Sequence, residues 1–218
     1  MTPRSEAPNP RGRRDPEATR RKVIDAAVES ILDVGYYESS SNEIARRAGV
    51  TWGVIQHQFG TREALLLEVL DDMWARLQTS VANADVGTGP LEARLRALLE
   101  VLALHYGSPE YLVALQIGLD LANNPNTSAD ARRAVVRHAD RLARAWQPLS
   151  VDTLGSLAED PELVSYTFAT LRGYLIGYTT AREFGPKTRD EIDRRLLVEG
   201  IAASLRAEAK RRNLARPA

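Results

Sequence analysis

The chain contains no cysteine, and only three histidines are spread over its 218 residues. Without cysteine there is no disulfide framework, no zinc finger built on thiolates and no thiol nucleophile. The histidines, at positions 57, 105 and 138, do not have the spacing of a metal site. No phosphate-binding glycine loop or catalytic triad signature is present either. We therefore expect no catalytic residues, no metal site and no cofactor.

The sequence also lacks an excess of charge of either sign, because 29 Lys and Arg residues balance 29 Asp and Glu residues. This balance argues against a generally polybasic nucleic-acid binder, although local charge matters more than the total. No apolar run approaches the length of a membrane span, and nothing resembles a signal peptide. These absences predict a cytoplasmic protein with no membrane partner. A chain of this length can still bury a substantial core, as one large domain or two small ones.

Residues 1–16 are rich in Pro, Asn, Arg and Gly and have no apolar face to bury. We predict that they form a disordered basic arm when the protein is free. Arg11, Arg13 and Arg14 lie just before the first predicted helix, where a basic arm reaches phosphates or a minor groove. The alternative is a solvated tail, and the salt dependence of DNA binding distinguishes the two.

The most informative stretch runs from Ser40 to Phe59 and reads as two short helices joined by a tight turn. Ser40 followed three residues later by Glu43 is the pattern of a capping box, which predicts the start of the first helix. Gly49 then supplies the positive φ that a helix C-terminus favours. Thr51 is predicted to cap the second helix.

The second of these helices has an apolar and a polar face. Ile55 and Phe59 are four residues apart and must point the same way, toward a core. Gln56 and His57 fall opposite, where they can hydrogen-bond to base edges or phosphates. Such a pair predicts a helix-turn-helix, whose second helix enters the DNA major groove, although a short helical corner of an ordinary bundle is an alternative. The residues expected to contact DNA are Ser40, Ser41, Thr51, Trp52, Gly53, Val54, Gln56, His57 and Arg62.

A wider set of residues carries a family resemblance: Val23-Ile24-Asp25-Ala26-Ala27, Gly35-Tyr36, Ile44-Ala45, Ala48-Gly49-Val50-Thr51, Gly53, and Phe59 followed by Arg62-Glu63-Ala64-Leu65. With these residues, the stretch from Arg20 to Leu65 resembles the DNA-binding domain of the TetR family of bacterial transcriptional regulators. The chain departs from the family at Gln56, where Tyr is usual, and at Gln58, where His is frequent. Because that Tyr typically holds a phosphate, the resemblance transfers the same role to Gln56.

No stretch alternates as a strand does, so the sequence predicts an all-α fold of about nine helices. We expect an N-terminal three-helix helix-turn-helix DNA-binding head over residues 17–62, and a C-terminal helical effector-binding and dimerisation body over residues 63–218. Helix 4, from Arg62 to about Asn83, leaves the head and joins the body. The turn-rich stretch 85–90 predicts a domain connection near it.

The last two predicted helices, helix 8 opening at Pro161 and helix 9 after Thr188, are apolar around more of their circumference than one contact requires. On helix 9, Ile192, Leu196 and Ala203 lie on one side, and Leu197, Ile201 and Leu205 on another. Either both helices are internal to a monomer, or they form a four-helix bundle with a second copy. The resemblance implies the homodimer, with interface residues Ala169, Gly173, Ile176, Thr180, Leu197, Ile201 and Leu205.

The middle helices are mostly apolar with scattered polar and aromatic residues. This pattern suits a pocket for a small, largely hydrophobic effector, although plain core packing explains it too. The candidate ligand contacts are Tyr106, Gln116, Asp120, Trp146 and Arg172.

Together these features predict a ligand-responsive transcriptional regulator. It would bind a near-palindromic double-stranded DNA operator as a homodimer and act as a repressor that the effector releases. An activating or corepressor-type regulator is the alternative within the resemblance. Two rivals from other classes are an all-helical enzyme that uses the body pocket and a sequence-neutral architectural DNA binder.

Overall fold

The structure, a computed structural model, describes residues 15–185 and 190–212. Over these ranges the chain forms ten α-helices and one short 3-10 helix, and no strand. The predicted all-α fold is confirmed. The chain divides into two compact units between Arg62 and Glu63. The basic-arm residues Arg11, Arg13 and Arg14 lie outside the described residues.

The first unit contains helices α1 (Pro16–Val34), α2 (Ser41–Ala48) and α3 (Trp52–Phe59). Helix α1 begins where the Asp15 carboxylate accepts a hydrogen bond of 3.0 Å from the Glu17 backbone N–H. The three helices enclose a small core, because each contributes side chains that are almost fully buried. These side chains are Val23, Ile24, Ala27, Ile31, Ile44, Ala45, Ile55 and Phe59.

Helix α2 begins and ends as its sequence predicts, with one exception. The Ser40 hydroxyl accepts a hydrogen bond from the Glu43 N–H at 3.2 Å, and Gly49 adopts the left-handed conformation with φ 66° and ψ 32°. The reciprocal half of the predicted capping box is absent, because the Ser40 N–H donates to the Glu38 carbonyl instead. The Glu43 carboxylate binds Arg46 and Arg47.

The second unit contains seven helices: α4 (Arg62–Ala82), α5 (Leu91–Tyr106), α6 (Pro109–Asn123), α7 (Ala129–Ala145), α8 (Gln147–Leu154), α9 (Pro161–Phe184) and α10 (Asp190–Arg211). Only Arg62, the first residue of α4, belongs to the first unit. The 3-10 helix Gly155–Glu159 joins α8 to α9. Helix α8 is absent from the sequence-based prediction, so the predicted helices 8 and 9 are α9 and α10. The turn-rich stretch 85–90 lies inside the second unit, and not at the boundary between the units.

The core of the second unit is built around α5, on which five leucines at helical spacing are completely buried, whereas Leu104 is exposed. Helices α8, α9 and α10 pack against α5. A buried hydrogen bond of 2.8 Å from the Thr179 hydroxyl to the Tyr106 carbonyl fixes α9 to the end of α5. The fully buried residues of this core include Leu91, Leu95, Leu98, Leu99, Leu102, Leu171, Leu175 and Leu205. No helix within the described residues is long and apolar enough to cross a membrane.

Helices α9 and α10 each bury one face in this core and leave another outward. On α9, Ala169 and Gly173 are exposed, whereas Ile176 packs against the core. On α10 the prediction for Ile201 and Leu205 is wrong: both lie in the protomer's own core, at 2% and 0% exposure. The outward side of α10 carries Ile192, Leu196 and Ala203. The remaining two predicted interface residues, Thr180 and Leu197, are half-buried.

Candidate DNA-binding surface and effector pocket

Helix α3 presents the predicted polar face to solvent. Ile55 and Phe59 are buried, at 0% and 9% exposure, while Gly53, Gln56 and His57 are exposed. Trp52 and Val54 are half-buried at the edges of this face. The exposed strip therefore combines two hydrogen-bonding side chains with a position that has no side chain at all.

The first turn of α3 is open in two respects. Thr51 occupies the N-cap position, but its side chain makes no capping hydrogen bond, contrary to the prediction, and it is exposed. A methyl group built on Gly53 would meet nothing closer than the Thr51 hydroxyl, 3.8 Å away. The backbone at this turn is thus accessible to a partner, and helix N-termini are good binding sites for phosphate.

Two further contacts fix α3 on α1. The Gln58 side-chain amide donates a hydrogen bond of 3.1 Å to the Pro16 carbonyl, and the Arg20 guanidinium lies 4.7 Å from the centre of the Phe59 ring. Gln58 therefore has a positioning role. Sequence reasoning did not find it, because its partner is a backbone carbonyl 42 positions away in the chain.

Arg62, a predicted phosphate contact, makes several contacts within the first unit. Its guanidinium donates to the Tyr36 hydroxyl and carbonyl and to the Ser39 carbonyl, at 3.3 to 3.4 Å, and it lies over the Tyr36 ring. The Ser39 hydroxyl in turn donates to Ser30 on α1, at 2.8 Å, and both serines are fully buried. Arg62 therefore holds the loop that leads into Ser40, the N-cap of α2.

An ion-pair cluster joins α1 to α2. The Arg47 guanidinium binds Asp33 on α1 and Glu43 on α2, each at 2.6 Å, and Arg46 binds Glu43 at 2.7 Å. Hydrogen bonds from Arg46 and then Arg47 hold the pKa of Glu43 at about 2. Glu43 therefore stays ionised at all physiological pH values. The i,i+3 and i,i+4 spacing of these residues was a signal that sequence reasoning missed.

The second unit contains a pocket of about 490 Å³, lined by α5, α7, the junction of α7 and α8, and α9. Three of the five predicted ligand contacts line it: Tyr106, Trp146 and Arg172. Gln116 and Asp120 do not line it. Both lie on α6, which contributes nothing to the pocket, and Asp120 accepts a hydrogen bond from the Asn124 side chain near the C-terminus of that helix.

Three aromatic rings form a row in the pocket wall. The Trp146 ring centre lies 6.3 Å from that of Tyr106 and 6.2 Å from that of Phe168. Burial raises the pKa of the Tyr106 hydroxyl, and the nearby Arg172 guanidinium and Trp146 indole oppose this shift. Phe168 could not be predicted as a pocket residue, because its spacing on α9 is equally that of a core residue. Within the described ranges, no group of three or more His, Asp or Glu side chains could hold a metal ion.

A family model for bacterial regulatory proteins of the tetR family matches residues 23–69. These residues include the whole helix-turn-helix described above. This part of the chain is a tetR-family DNA-binding domain.

One relative is the HTH-type transcriptional regulator BetI of Escherichia coli O17:K52:H18 (strain UMN026 / ExPEC). It is 37% identical over 83 residues, which are 37% of this chain and 43% of BetI. The match thus spans less than half the length of the curated relatives.

Solved structures extend the likeness in fold to most of the chain. A putative transcriptional regulator from Pseudomonas aeruginosa PAO1 has a TM-score of 0.66 and 24% identity, covering 92% of this chain and 96% of that one. The transcriptional regulator FadR from Bacillus subtilis, solved in complex with stearoyl-CoA, has a TM-score of 0.55 and 17% identity, covering 85% and 96%. At these identities the likeness shows the fold alone.

Proposed function

We propose that the protein is a homodimeric, ligand-responsive transcriptional regulator that represses its target genes by binding a near-palindromic DNA operator. The observation that carries this proposal is the exposed face of α3, with Gln56 and His57 beside a bare Gly53 and an uncapped first turn. Such a face suits base edges and phosphates of a major groove. A regulator of this kind works in the bacterial cytoplasm, where it meets the chromosome.

A homodimer is required by the size of the reading element. Helix α3 has 8 residues, and one such helix contacts only a few base pairs. Two copies on a two-fold axis read two half-sites and multiply the specificity. The outward faces of α9 and α10, with Ala169 and Gly173 on one and Leu196 on the other, suit a four-helix bundle between two copies.

Within the second unit, a chain of contacts links the pocket to α4. Arg144 near the end of α7 lines the pocket. At the start of α7, the Ser128 N–H and hydroxyl donate to the Glu63 carboxylate on α4, at 3.0 and 2.7 Å. An effector that binds one arrangement of α7 more tightly would therefore bias α4 as well. The protein would then release the operator to an extent set by the effector's differential affinity for the two arrangements of α7.

The DNA-binding prediction is that His57→Ala weakens specific binding about fivefold to hundredfold, because a good base contact contributes ~1–3 kcal/mol. The measurement is fluorescence anisotropy of labelled DNA from the region upstream of the protein's own gene, compared with random DNA. Gln78→Ala, an exposed polar position on α4, is the matched control and should bind as wild type does.

Equal binding of both DNAs by wild type would favour the sequence-neutral rival over a specific regulator. Specific binding that His57→Ala leaves unchanged would remove α3 as the reading helix. Repeating the titration with a ligand present gives the sign of regulation: release supports a repressor, and tighter binding supports an activating or corepressor-type regulator.

The dimer prediction concerns the outward side of α10. Leu196→Glu should weaken dimerisation tenfold or more, because it places a charge in an apolar interface, and tenfold corresponds to about 1.4 kcal/mol. Leu119→Glu on α6 is the matched control, since Leu119 and Leu196 are 55% and 54% exposed in the protomer. Sedimentation velocity measures the association. Dissociation by Leu119→Glu and not by Leu196→Glu would move the interface away from α10.

A further inference from the structure

Two guanidinium groups line the pocket without a carboxylate to neutralise them. Arg144 on α7 and Arg172 on α9 both contribute to its wall and both are exposed. Other arginines of the second unit are paired with carboxylates: Arg141 binds Asp71, Arg206 binds Glu92, and Arg212 binds Asp160. Among the described residues, neither Arg144 nor Arg172 forms an ion pair. The pocket therefore has an uncompensated positive charge.

The pocket wall also carries a buried donor that the protein leaves unused. The Trp146 side chain is 5% exposed, and its Nε1–H has no hydrogen-bond partner in the part of the chain that the structure describes. This N–H lies near the Tyr106 hydroxyl, but the two groups do not form a hydrogen bond. Buried indole N–H groups usually find an acceptor, and a missing one points to a bound ligand.

The rest of the pocket is mainly apolar, and its other polar side chains are Gln147, Ser150 and Ser165. Phe168 and Trp146 form a continuous aromatic wall, and Leu102, Ala158 and Val164 complete it. A volume of about 490 Å³ lies within the range of ordinary small-molecule sites. An occupant must therefore combine an apolar body with a group that accepts hydrogen bonds and carries negative charge.

We propose that the pocket binds a hydrophobic carboxylic acid as its anion. Arg172 holds the carboxylate together with the Tyr106 hydroxyl or the Trp146 indole N–H, Arg144 adds long-range attraction, and the apolar body lies along Trp146 and Phe168. This inference rests on the proposed function, because it names the chemical class of the effector. A planar carboxylate matches the guanidinium fork, and its second oxygen can accept the neutral donor.

The experiment uses the full-length protein without DNA. Decanoate and 2-naphthoate are titrated at pH 7.5 by isothermal calorimetry, each beside a neutral counterpart, decanol and 2-naphthamide. We expect at least one carboxylate to bind about tenfold to hundredfold more tightly than its counterpart, as a charge-assisted hydrogen bond implies. Arg172→Gln should remove this preference. Arg182→Gln, on the same helix but outside the pocket lining, should keep it.

Three results would overturn the inference: neither carboxylate binds more tightly than its neutral counterpart, decyltrimethylammonium binds more tightly than decanoate, or Arg172→Gln keeps the preference. Decanoyl-CoA is a further arm. If it binds and both free acids do not, the ligand is a thioester with its anionic groups elsewhere, and the free-acid proposal is wrong. Because ligand binding is measured without DNA, a failure of this inference is distinguishable from a failure of the proposed function, which is tested by DNA anisotropy and by sedimentation velocity.

Discussion

Ile44→Ala is expected to abolish specific DNA binding while the second unit stays folded. Ile44 is completely buried at the centre of α2, which packs against α1 and α3. Replacing a buried isoleucine by alanine costs about 2–5 kcal/mol, from lost apolar burial and from the cavity that remains. A unit as small as the first one has little stability to spare, because a small domain buries a smaller share of its surface.

Hydrogen exchange over residues 23–59 and operator anisotropy measure the outcome together. Leu32→Ala is the control, because Leu32 on α1 is 45% exposed and its loss should change stability little. Helices α5, α9 and α10 should keep wild-type exchange protection in both variants. If Ile44→Ala binds the operator with wild-type affinity, the helix-turn-helix core is not organised as described.

The second large effect is a loss of stability as the pH falls from about 6.5 to about 4. Burial, and secondarily the charge of His138, lowers the pKa of His105 from 6.5 to about 4. In the unfolded chain this histidine binds a proton below pH 6.5, whereas in the folded protein it stays neutral until about pH 4. The unfolded state thus holds more protons within this window, and stability must fall with pH.

The full effect of His105 amounts to about 3 kcal/mol and is complete near pH 4. His105→Phe keeps a ring beside Tyr106 and Tyr111, whose centres lie 4.8 and 5.3 Å away, and removes the titration. Urea unfolding of both proteins at pH 7 and pH 4.5 gives the comparison. The variant should lose less stability than wild type between the two values, and an equal loss would contradict the role of His105. His57→Ala, at an exposed position, should lose as much as wild type.

Local signals in the sequence predicted most helix boundaries, because capping chemistry acts over a few residues. Ser40 and Gly49 bound α2, and Ser108-Pro109 and Asp160-Pro161 open α6 and α9. Helix α8 was missed, since Trp146 continues from α7 in a helical conformation and no capping side chain marks the junction. Two helices that meet without a cap read as one stretch.

Periodicity shows that a helix has two apolar sides, but not which side faces its own core. On α10 the sequence favoured Ile201 and Leu205 for the partner, and the fold buries both against α5 and α9. Similarly, Glu43 has the spacing of a capping residue, yet two arginines compete for its carboxylate. In the pocket, Tyr106, Trp146 and Arg172 could be predicted from their residue types. Phe168 could be assigned to the pocket only from the way in which α9 packs. These choices depend on partners distant in the chain.

The missing side-chain cap at Thr51 also affects how ordered α3 is before and after it binds DNA. A helix whose first turn lacks a side-chain cap frays more readily, and a cap contributes about 0.5–2 kcal/mol. A phosphate bound at this turn would supply the missing acceptor, so the DNA itself would complete the helix. Ordering α3 would then lower the affinity for the operator and for imperfect sites by about the same factor, because every DNA site presents phosphates. Thr51→Asp, an intramolecular cap, would make the helix more rigid in free protein and repel the same phosphate.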